Sequence, residues 1–288
     1  MSDGVRCLAV LAAGTMGHGI AQVAAAAGYQ ATLYDVTMLA SEQGRMRIRD
    51  NLEKAIELGK ITEQENEETL GRIRLSSDVL EAVHGAAMVI EAVPEMVGVK
   101  QSLLKQVEQA ISPETILASS TSSLSITELA SVLEQPERFV GLHFFNPVHI
   151  MRLVEVVRGK ETSDETSERA GHFVEELGKV PILVNDSPGF ASSRLGIVLG
   201  MEAIRMVEEG VASPEDIDKA MELGYRHPMG PLRLTDLVGL DVRLSIAMYL
   251  HRTLESDAFR PPTLLKQMVA QGKLGKKSGQ GFYTWDEE

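Results

Sequence analysis

The stretch LAVLAAGTMGHGIAQ, residues 8–22, restricts the possible folds of this chain more than any other segment. Its apolar run predicts a buried strand, its glycines predict a tight turn, and the residues after them predict a helix. N–H groups at the start of such a helix can face a phosphate, and the helix dipole favours negative charge there. A second predicted strand, ATLYD, ends at Asp35, where a carboxylate can bind both ribose hydroxyls and repel a 2′-phosphate. The pattern predicts a dinucleotide site that favours NAD over NADP.

One position of this turn departs from the usual glycine pattern. Gly14 and Gly17 take the second and third glycine places, but Ala12 stands in the first, where glycine permits a tight bend. A positive φ at Ala12 would cost about 1–2 kcal/mol, whereas a negative φ would only crowd the bend with a methyl group. A plain strand–helix turn with glycines chosen for packing is the alternative. The preceding strand, the following helix and Asp35 together favour a cofactor turn of reduced strength.

Short apolar runs alternate with helical patterns over the first two-thirds of the chain, and a charged helical region extends from about 41 to 70. The alternation predicts a mostly parallel sheet covered by helices, a Rossmann-like doubly wound α/β fold. Composition changes near NDSPGF, residues 185–190, and helical patterns follow. We expect an NAD-binding domain at residues 1–185 and a smaller all-helical domain at residues 186–288. The expected strands are RCLAVLA, ATLYD, RIRLSS, AAMVIEAV, TILASS, RFVGLHFF, RLVEVV and KVPILV.

Charge and composition exclude several classes of function. The net charge of −13 argues against nucleic acid or an anionic membrane as a partner. With Cys7 as its single cysteine, the chain can form neither an internal disulfide nor a thiolate metal cluster, and its seven histidines show no HExxH-like pair. No apolar run approaches the roughly 18 residues of a spanning helix, and CLAVLAA is too brief for a signal peptide. We expect a cytoplasmic protein without a metal site.

The segment GLHFFNPVHIMRLVEVV, residues 141–157, carries the most suggestive chemistry. If residues 140–144 and 153–157 pair as strands around the Asn146–Pro147 loop, His143 and Glu155 lie opposite each other. A carboxylate on one ring nitrogen fixes the tautomer and leaves the other nitrogen as a base, which the oxidation of an alcohol requires. A buried histidine that is only satisfied by a glutamate is the commoner arrangement, so the pair alone does not decide between structure and catalysis.

Ser122 directly follows a predicted strand, as does the loop that contains Asn146. Ligands of open α/β sheets lie beyond the carboxyl ends of strands, so both side chains could reach a substrate oxygen near His143. Capping of a helix or turn is the alternative, and for Ser122 taken alone it is the favoured interpretation.

These segments together resemble the L-3-hydroxyacyl-CoA dehydrogenase family, including its short 3-hydroxybutyryl-CoA dehydrogenases, over nearly the whole chain. The matching motifs are AGTMGHGIA, VIEAVPE, SSTSSLSI, GLHFFNPVHIMRLVEVV, SPGF, HPMGPLRLTDLVGLD and GKKSGQGFY. The resemblance implies NAD-dependent interconversion of an L-3-hydroxyacyl-CoA and the 3-oxoacyl-CoA, with a short acyl group and a place in fatty acid β-oxidation. It also implies a homodimer formed through the C-terminal domain.

The resemblance also implies roles for individual residues. It makes His143 the general base, Glu155 its partner, and Ser122 and Asn146 donors to the substrate's C3 oxygen. The residues implied to bind the cofactor are Ala12, Gly14, Thr15, Met16, Gly17, Asp35, Glu95 and Lys100. A solvated lysine and an exposed helix start are the alternative reading of the last two. The charged region after Asp35 corresponds to a helical extension that helps hold CoA. Its basic residues, which could supply positive charge for the CoA phosphates, are Arg45, Arg47, Arg49 and Lys54. A solvated helix face is an equal alternative for this run.

Ser193 departs from the family, which usually has asparagine at this position near the bound acyl group. Serine offers a shorter donor and no amide, so acyl specificity or turnover should differ. Two other hypotheses stay open at this point. One is a related dehydrogenase of a free hydroxy acid or sugar acid, similar to gulonate dehydrogenase, and the other is a dinucleotide-binding protein without turnover.

Overall fold

The computed structural model describes residues 6–285 and divides the chain into two compact units, Met1–Ser187 and Pro188–Glu288. The first unit contains one eight-stranded sheet, and the second is built from helices. The sequence placed this boundary after residue 185, two residues before the end of the first unit. No helix of residues 6–285 is long and apolar enough to cross a membrane.

The sheet has the strand order β3-β2-β1-β4-β5-β6-β7-β8. Its strands are β1 Cys7–Leu11, β2 Gln30–Tyr34, β3 Ile73–Ser76, β4 Met88–Glu91, β5 Ile116–Ser119, β6 Phe139–Phe144, β7 Leu153–Arg158 and β8 Val180–Asn185. Strands β1 to β6 run parallel to one another, β7 runs antiparallel to β6, and β8 runs parallel to β7. All eight strands coincide with apolar runs that the sequence predicted as strands.

Every residue of β4, β5 and β6 is buried, so both faces of the sheet are covered. Helices provide this cover. They are α1 Gly17–Ala26, α2 Met38–Glu57, α3 Glu63–Gly71, α4 Val79–Val83, α5 Val97–Glu108, α6 Ile126–Ala130 and α7 Asp164–Glu176. The charged region predicted as helical is two helices, α2 and α3, and Thr62 begins α3 with a capping box to Glu65. The strand order reverses between β1 and β4, the place where open α/β sheets bind ligands.

Between residues 188 and 285, five α-helices pack around an apolar core. They are α8 Ser192–Glu208, α9 Pro214–Gly224, α10 Pro231–Val238, α11 Leu240–Leu254 and α12 Thr263–Ala270. Ser213 caps α9 by accepting a hydrogen bond from the Asp216 backbone N–H at 3.2 Å, as its position before Pro214 predicts. Within residues 188–285 the β-structure consists of two isolated bridges, both involving Gln280.

Candidate active site

The turn after β1 has the geometry of a phosphate-binding loop. A Cβ added at Gly17 would lie 1.7 Å from the carbonyl oxygen of Ala12, so glycine is required where α1 starts against the turn. Gly14 is exposed, and a Cβ there would meet nothing within 4 Å. The backbone at Gly14, just before α1, therefore faces open space. A pyrophosphate needs such space to approach the backbone closely. Ala12 has φ +92°, so it is the non-glycine residue that carries the positive φ of the turn.

The carboxylate of Asp35, after β2, binds backbone of the turn that follows β1. It accepts hydrogen bonds from the backbone N–H of Ala13 at 2.8 Å and from that of Val36 at 2.8 Å. The side chain is partly exposed beside the turn, at the end of β2. Its place at the carboxyl edge of the sheet is the one that the sequence predicted for a ribose-binding carboxylate.

His143 and Glu155 face each other across β6 and β7, in the register that the sequence predicted. His143 Nδ1 lies 2.6 Å from Glu155 Oε2, and the two residues are 5% and 0% exposed. The ring of Phe145 packs beside the imidazole, with centroids 4.6 Å apart. A buried carboxylate on Nδ1 holds the tautomer in which Nδ1 carries the proton, so Nε2 is the basic nitrogen.

Glu95 organises the loop that carries Ser122. Its carboxylate accepts hydrogen bonds from Thr121 Oγ1 at 2.5 Å, from the Ser122 N–H at 3.0 Å, and from the N–H and hydroxyl of Ser123 at 3.2 and 3.1 Å. Partial burial opposes ionisation of Glu95, but these hydrogen bonds and the charge of Lys100 outweigh it and lower the pKa of the carboxyl below its usual value. The side chain of Ser122, at the end of β5, stays exposed.

Lys100 is deeply buried rather than solvated, with 1% of its surface exposed. Its ammonium donates hydrogen bonds to both carboxylate oxygens of Glu91 at 2.9 Å and to the carbonyl of Val93 at 3.1 Å, and it lies 3.4 Å from Glu95. Burial raises the pKa of the Glu91 carboxyl, and the charge of Lys100 opposes that effect. Through these contacts Lys100 links the end of β4 to the Glu95 carboxylate and the Ser122 loop.

Sequence reasoning missed Glu91 and Ser119. Both are 0% exposed at the carboxyl ends of β4 and β5, and the Ser119 hydroxyl donates to the Glu91 carboxylate. The available signal was an acid that ends an otherwise wholly apolar strand, MVIE. A carboxylate in that position has to find a buried cation or several donors.

A cavity of about 900 Å³ lies in the first unit, between α1, α2 and the loop that follows the cis Asn146–Pro147 bond. Four cationic side chains line it, Lys54, Lys60, Arg152 and Lys179, together with Asn51, Leu58, Ile61 and Ile150. Lys179 Nζ donates to the carbonyls of Val148 and Met151 at 2.5 and 2.7 Å, which fastens the loop that forms one wall. Of the four basic residues that the sequence singled out on α2, Lys54 alone lines this cavity.

The predicted site residues of the first unit occupy the carboxyl edge of the parallel strands. The cofactor turn follows β1, Asp35 follows β2, Ser122 follows β5, and the Asn146 loop follows β6. Thr15 is exposed and Met16 is half-buried where the turn meets α1. Asn146 is exposed. Ser193 is half-buried in the first turn of α8, in the second unit.

Comparisons with known proteins agree with this arrangement. Residues 7–187 match the NAD binding domain of 3-hydroxyacyl-CoA dehydrogenase, and residues 189–285 match its C-terminal domain. The chain belongs to the 3-hydroxyacyl-CoA dehydrogenase family. A probable 3-hydroxybutyryl-CoA dehydrogenase of Bacillus subtilis is 47% identical over 284 residues, which cover 99% of each chain. A 3-hydroxybutyryl-CoA dehydrogenase of Mycobacterium tuberculosis is 42% identical over 99% of this chain and 100% of its own.

A solved structure gives the same result at the level of the fold. The (S)-3-hydroxybutyryl-CoA dehydrogenase of Ralstonia eutropha superimposes with a TM-score of 0.94 at 40% identity, over 99% of this chain and 100% of its own. The protein is therefore an NAD-dependent 3-hydroxyacyl-CoA dehydrogenase with a Rossmann-like domain and a helical C-terminal domain. The open backbone at Gly14, the close approach at Gly17 and the carboxylate of Asp35 fit a bound NAD.

Proposed function

We propose that this dehydrogenase interconverts short-chain L-3-hydroxyacyl-CoA and 3-oxoacyl-CoA, with His143 as the general base. The contact of His143 Nδ1 with the buried Glu155 carboxylate, 2.6 Å long, is the observation that carries this proposal. It stands at the carboxyl end of β6, on the edge of the sheet that also holds the cofactor turn. The names of the relatives, which are 3-hydroxybutyryl-CoA dehydrogenases, support a short acyl group.

In the proposed mechanism the C3 hydroxyl of the substrate donates a hydrogen bond to His143 Nε2. When bound, NAD would supply the hydride acceptor for C3. The hydroxyl proton moves to Nε2 as the C3 carbonyl forms, so the imidazole becomes a cation. The Glu155 carboxylate, 0% exposed and bonded to Nδ1, stabilises that cation. In the reverse direction the imidazolium returns the proton to the oxygen.

Ser122 and Asn146 are proposed to donate hydrogen bonds to the same C3 oxygen, where negative charge develops. Glu95 and Lys100 then act as positioning residues, because Glu95 binds the N–H groups of Ser122 and Ser123. Lys100 in turn lies 3.4 Å from the Glu95 carboxylate and holds Glu91. Replacement of Glu95 or Lys100 by an uncharged residue would therefore loosen the loop that carries Ser122. Whether Glu95 and Lys100 also touch the nicotinamide stays a prediction.

The cavity between α1, α2 and the loop after Pro147 is the proposed site of the CoA moiety. Lys54, Lys60 and Arg152 give it positive charge in a chain whose net charge is −13, and Leu58, Ile61 and Ile150 give it apolar walls. His149 also lines it, and burial together with the charges of His18, Lys179 and Lys60 lowers the pKa of that imidazole. A local cationic field beside an apolar groove suits phosphates joined to a pantetheine arm.

The function is tested by following NADH formation with 3-hydroxyacyl-CoAs of several chain lengths beside the matching free acids. We expect turnover of 3-hydroxybutyryl-CoA and little turnover of free 3-hydroxybutyrate. Equal turnover of thioester and free acid would instead favour the related hydroxy-acid or sugar-acid dehydrogenases. NADH binding without turnover of any hydroxyacyl-CoA would contradict the proposed chemistry.

A homodimer formed through the helical unit is also proposed. Three apolar side chains of α10 are exposed to 40%, 41% and 41%, namely Leu234, Leu237 and Val238. A cluster of exposed apolar side chains often marks a surface that a partner covers. Sedimentation velocity should give twice the monomer mass, and Leu237→Glu should shift it to one copy. Leu39→Glu, which changes a 64% exposed leucine of the first unit, is the matched control. The cytoplasmic location expected from the lone cysteine stays a prediction.

A further inference from the structure

The loop after the cis Asn146–Pro147 bond places His149 on the wall of the cavity in the first unit. The backbone N–H groups of Ile150 and Met151 donate to the carbonyl of Pro147 at 3.0 and 2.9 Å, so the loop is a closed turn. The side chain of His149 is exposed, and its ring forms no hydrogen bond with any residue between 6 and 285. Both ring nitrogens are therefore available to a ligand in the cavity.

Two contacts from other elements fix this turn. Lys179 Nζ donates to the backbone carbonyls on either side of His149, those of Val148 and Met151, at 2.5 and 2.7 Å. The side chain of Val148 packs on α1 at Gly19, where an added Cβ would lie 2.8 Å from the Val148 Cβ. Because its backbone is held on both sides, His149 keeps its place in the cavity wall whether or not a ligand is bound.

Basic groups from three segments act on the imidazole of His149. They are His18 of α1, Lys179 in the segment before β8, and Lys60 in the segment between α2 and α3. Burial and these three positive charges lower the pKa of the imidazole. His149 is therefore neutral at pH 7 in the enzyme without a ligand.

The other charges of the cavity leave this positive field uncompensated. Lys54 and Arg152 line the cavity, and neither forms an ion pair with a residue between 6 and 285. Glu176 carries the single carboxylate of the described lining. That carboxylate accepts a hydrogen bond from the Tyr29 hydroxyl and forms an ion pair with Arg6, so its charge is already shared. The cavity thus favours an anion.

We propose that His149 binds a phosphate group of the CoA moiety as an imidazolium, which forms by uptake of a proton from solvent when the phosphate enters the cavity. The phosphate offsets the neighbouring cations that oppose this proton, and the imidazolium donates a charge-assisted hydrogen bond to it. The inference rests on the proposed function, because it requires CoA in this cavity. The complex then holds one proton more than the separate enzyme and ligand.

Proton uptake makes the affinity for CoA depend on pH. The pKa of His149 is low in the enzyme alone and higher in the complex. The contribution of the imidazolium to binding is therefore complete below the lower pKa, and it is lost as the pH rises through the higher one. Between the two values this contribution falls by up to about tenfold for each pH unit.

The test is calorimetric titration with free CoA at pH 7 in two buffers that differ in ionisation enthalpy, which gives the number of protons taken up. Wild type should take up as much as about one proton more than His149→Gln. The variant should bind CoA more weakly at pH 6, and this difference should shrink towards pH 8. His149→Lys carries a permanent charge, so it should bind CoA at pH 8 at least as well as wild type, without the uptake.

His84→Gln is the matched control, because it removes an exposed histidine outside this cavity and should behave as wild type. Equal proton uptake by wild type and His149→Gln would overturn the inference and leave the proposed function standing. A His149-dependent uptake of the same size with NADH would also overturn it, since the phosphate would then belong to the cofactor. Absence of CoA binding, or of turnover of 3-hydroxybutyryl-CoA by wild type, would contradict the proposed function itself.

Discussion

Ala12 adopts a backbone conformation that its side chain disfavours. Its φ of +92° is a value that glycine takes freely, and Ala12 still donates its N–H to the carbonyl of Tyr34 at 2.8 Å. The sequence left the sign of this φ open, and the structure selects the strained alternative. The neighbouring residue is held by the Asp35 carboxylate, which accepts a hydrogen bond from the Ala13 N–H at 2.8 Å.

Ala12→Gly should therefore relieve strain at the cofactor turn. We predict a gain of about 1–2 kcal/mol in the free energy of unfolding and a modest tightening of NADH binding, measured by chemical denaturation and fluorescence titration. Ala110→Gly is the control, because Ala110 is an exposed residue outside the positive-φ set and its replacement should not stabilise the protein. Unchanged or weaker NADH affinity in Ala12→Gly would show that the methyl group is well accommodated.

One carboxylate, that of Glu95, holds residues 121–123 of the loop between β5 and α6. Glu95 lies outside that loop, yet it accepts hydrogen bonds from Thr121, Ser122 and Ser123. Its pKa is lowered in the folded protein. A depressed carboxyl pKa contributes stability that is present above the ordinary value and is lost as the pH falls through the folded value.

Glu95→Gln should thus lower stability at neutral pH and lower kcat, because Ser122 loses its fixed position. The difference in unfolding free energy between wild type and variant should be present at pH 7 and should disappear below the ordinary carboxyl range. Urea unfolding at several pH values measures it. Glu114→Gln, at an exposed glutamate, is the control. A stability difference that persists unchanged into strong acid would show that it does not come from the ionised Glu95 carboxylate.

The strands and the pairing of β6 with β7 were predictable from the sequence, because uninterrupted apolar runs mark buried strands and a short loop joins these two. The burial of Lys100 was not predictable. A lysine near the start of a helix is usually expected to be solvated. Its partner Glu91 ends β4, and the sequence does not show that the two side chains meet. The cavity also depends on how α2 lies against α1, which apolar periodicity does not determine.

At the scale of the whole molecule, the net charge of −13 works against a substrate that carries several phosphates. Four cations and one carboxylate, that of Glu176, line the cavity, so the local charge there is opposite in sign to that of the whole chain. We predict that replacing both Lys54 and Lys60 by glutamine raises KM for 3-hydroxybutyryl-CoA about tenfold at low salt and less at high salt. The same acyl group on a pantetheine thioester, which lacks the nucleotide phosphates, should be unaffected.

Lys105→Gln combined with Lys266→Gln, at two exposed lysines of α5 and α12, removes the same two charges and controls for the change in net charge. If the pantetheine thioester suffers as much as the CoA thioester, the cavity does not bind the phosphates. If neither substrate responds, CoA lies elsewhere on the molecule.

The most direct test of the central claim is the turnover of His143→Ala with NAD and a short 3-hydroxyacyl-CoA. General-base catalysis predicts that kcat falls about 10²- to 10⁴-fold, while NADH binding stays near the wild-type value. His172→Ala, at a histidine whose side chain is 77% exposed, should be fully active. Wild-type kcat in His143→Ala would contradict the role of the His143–Glu155 pair in the reaction.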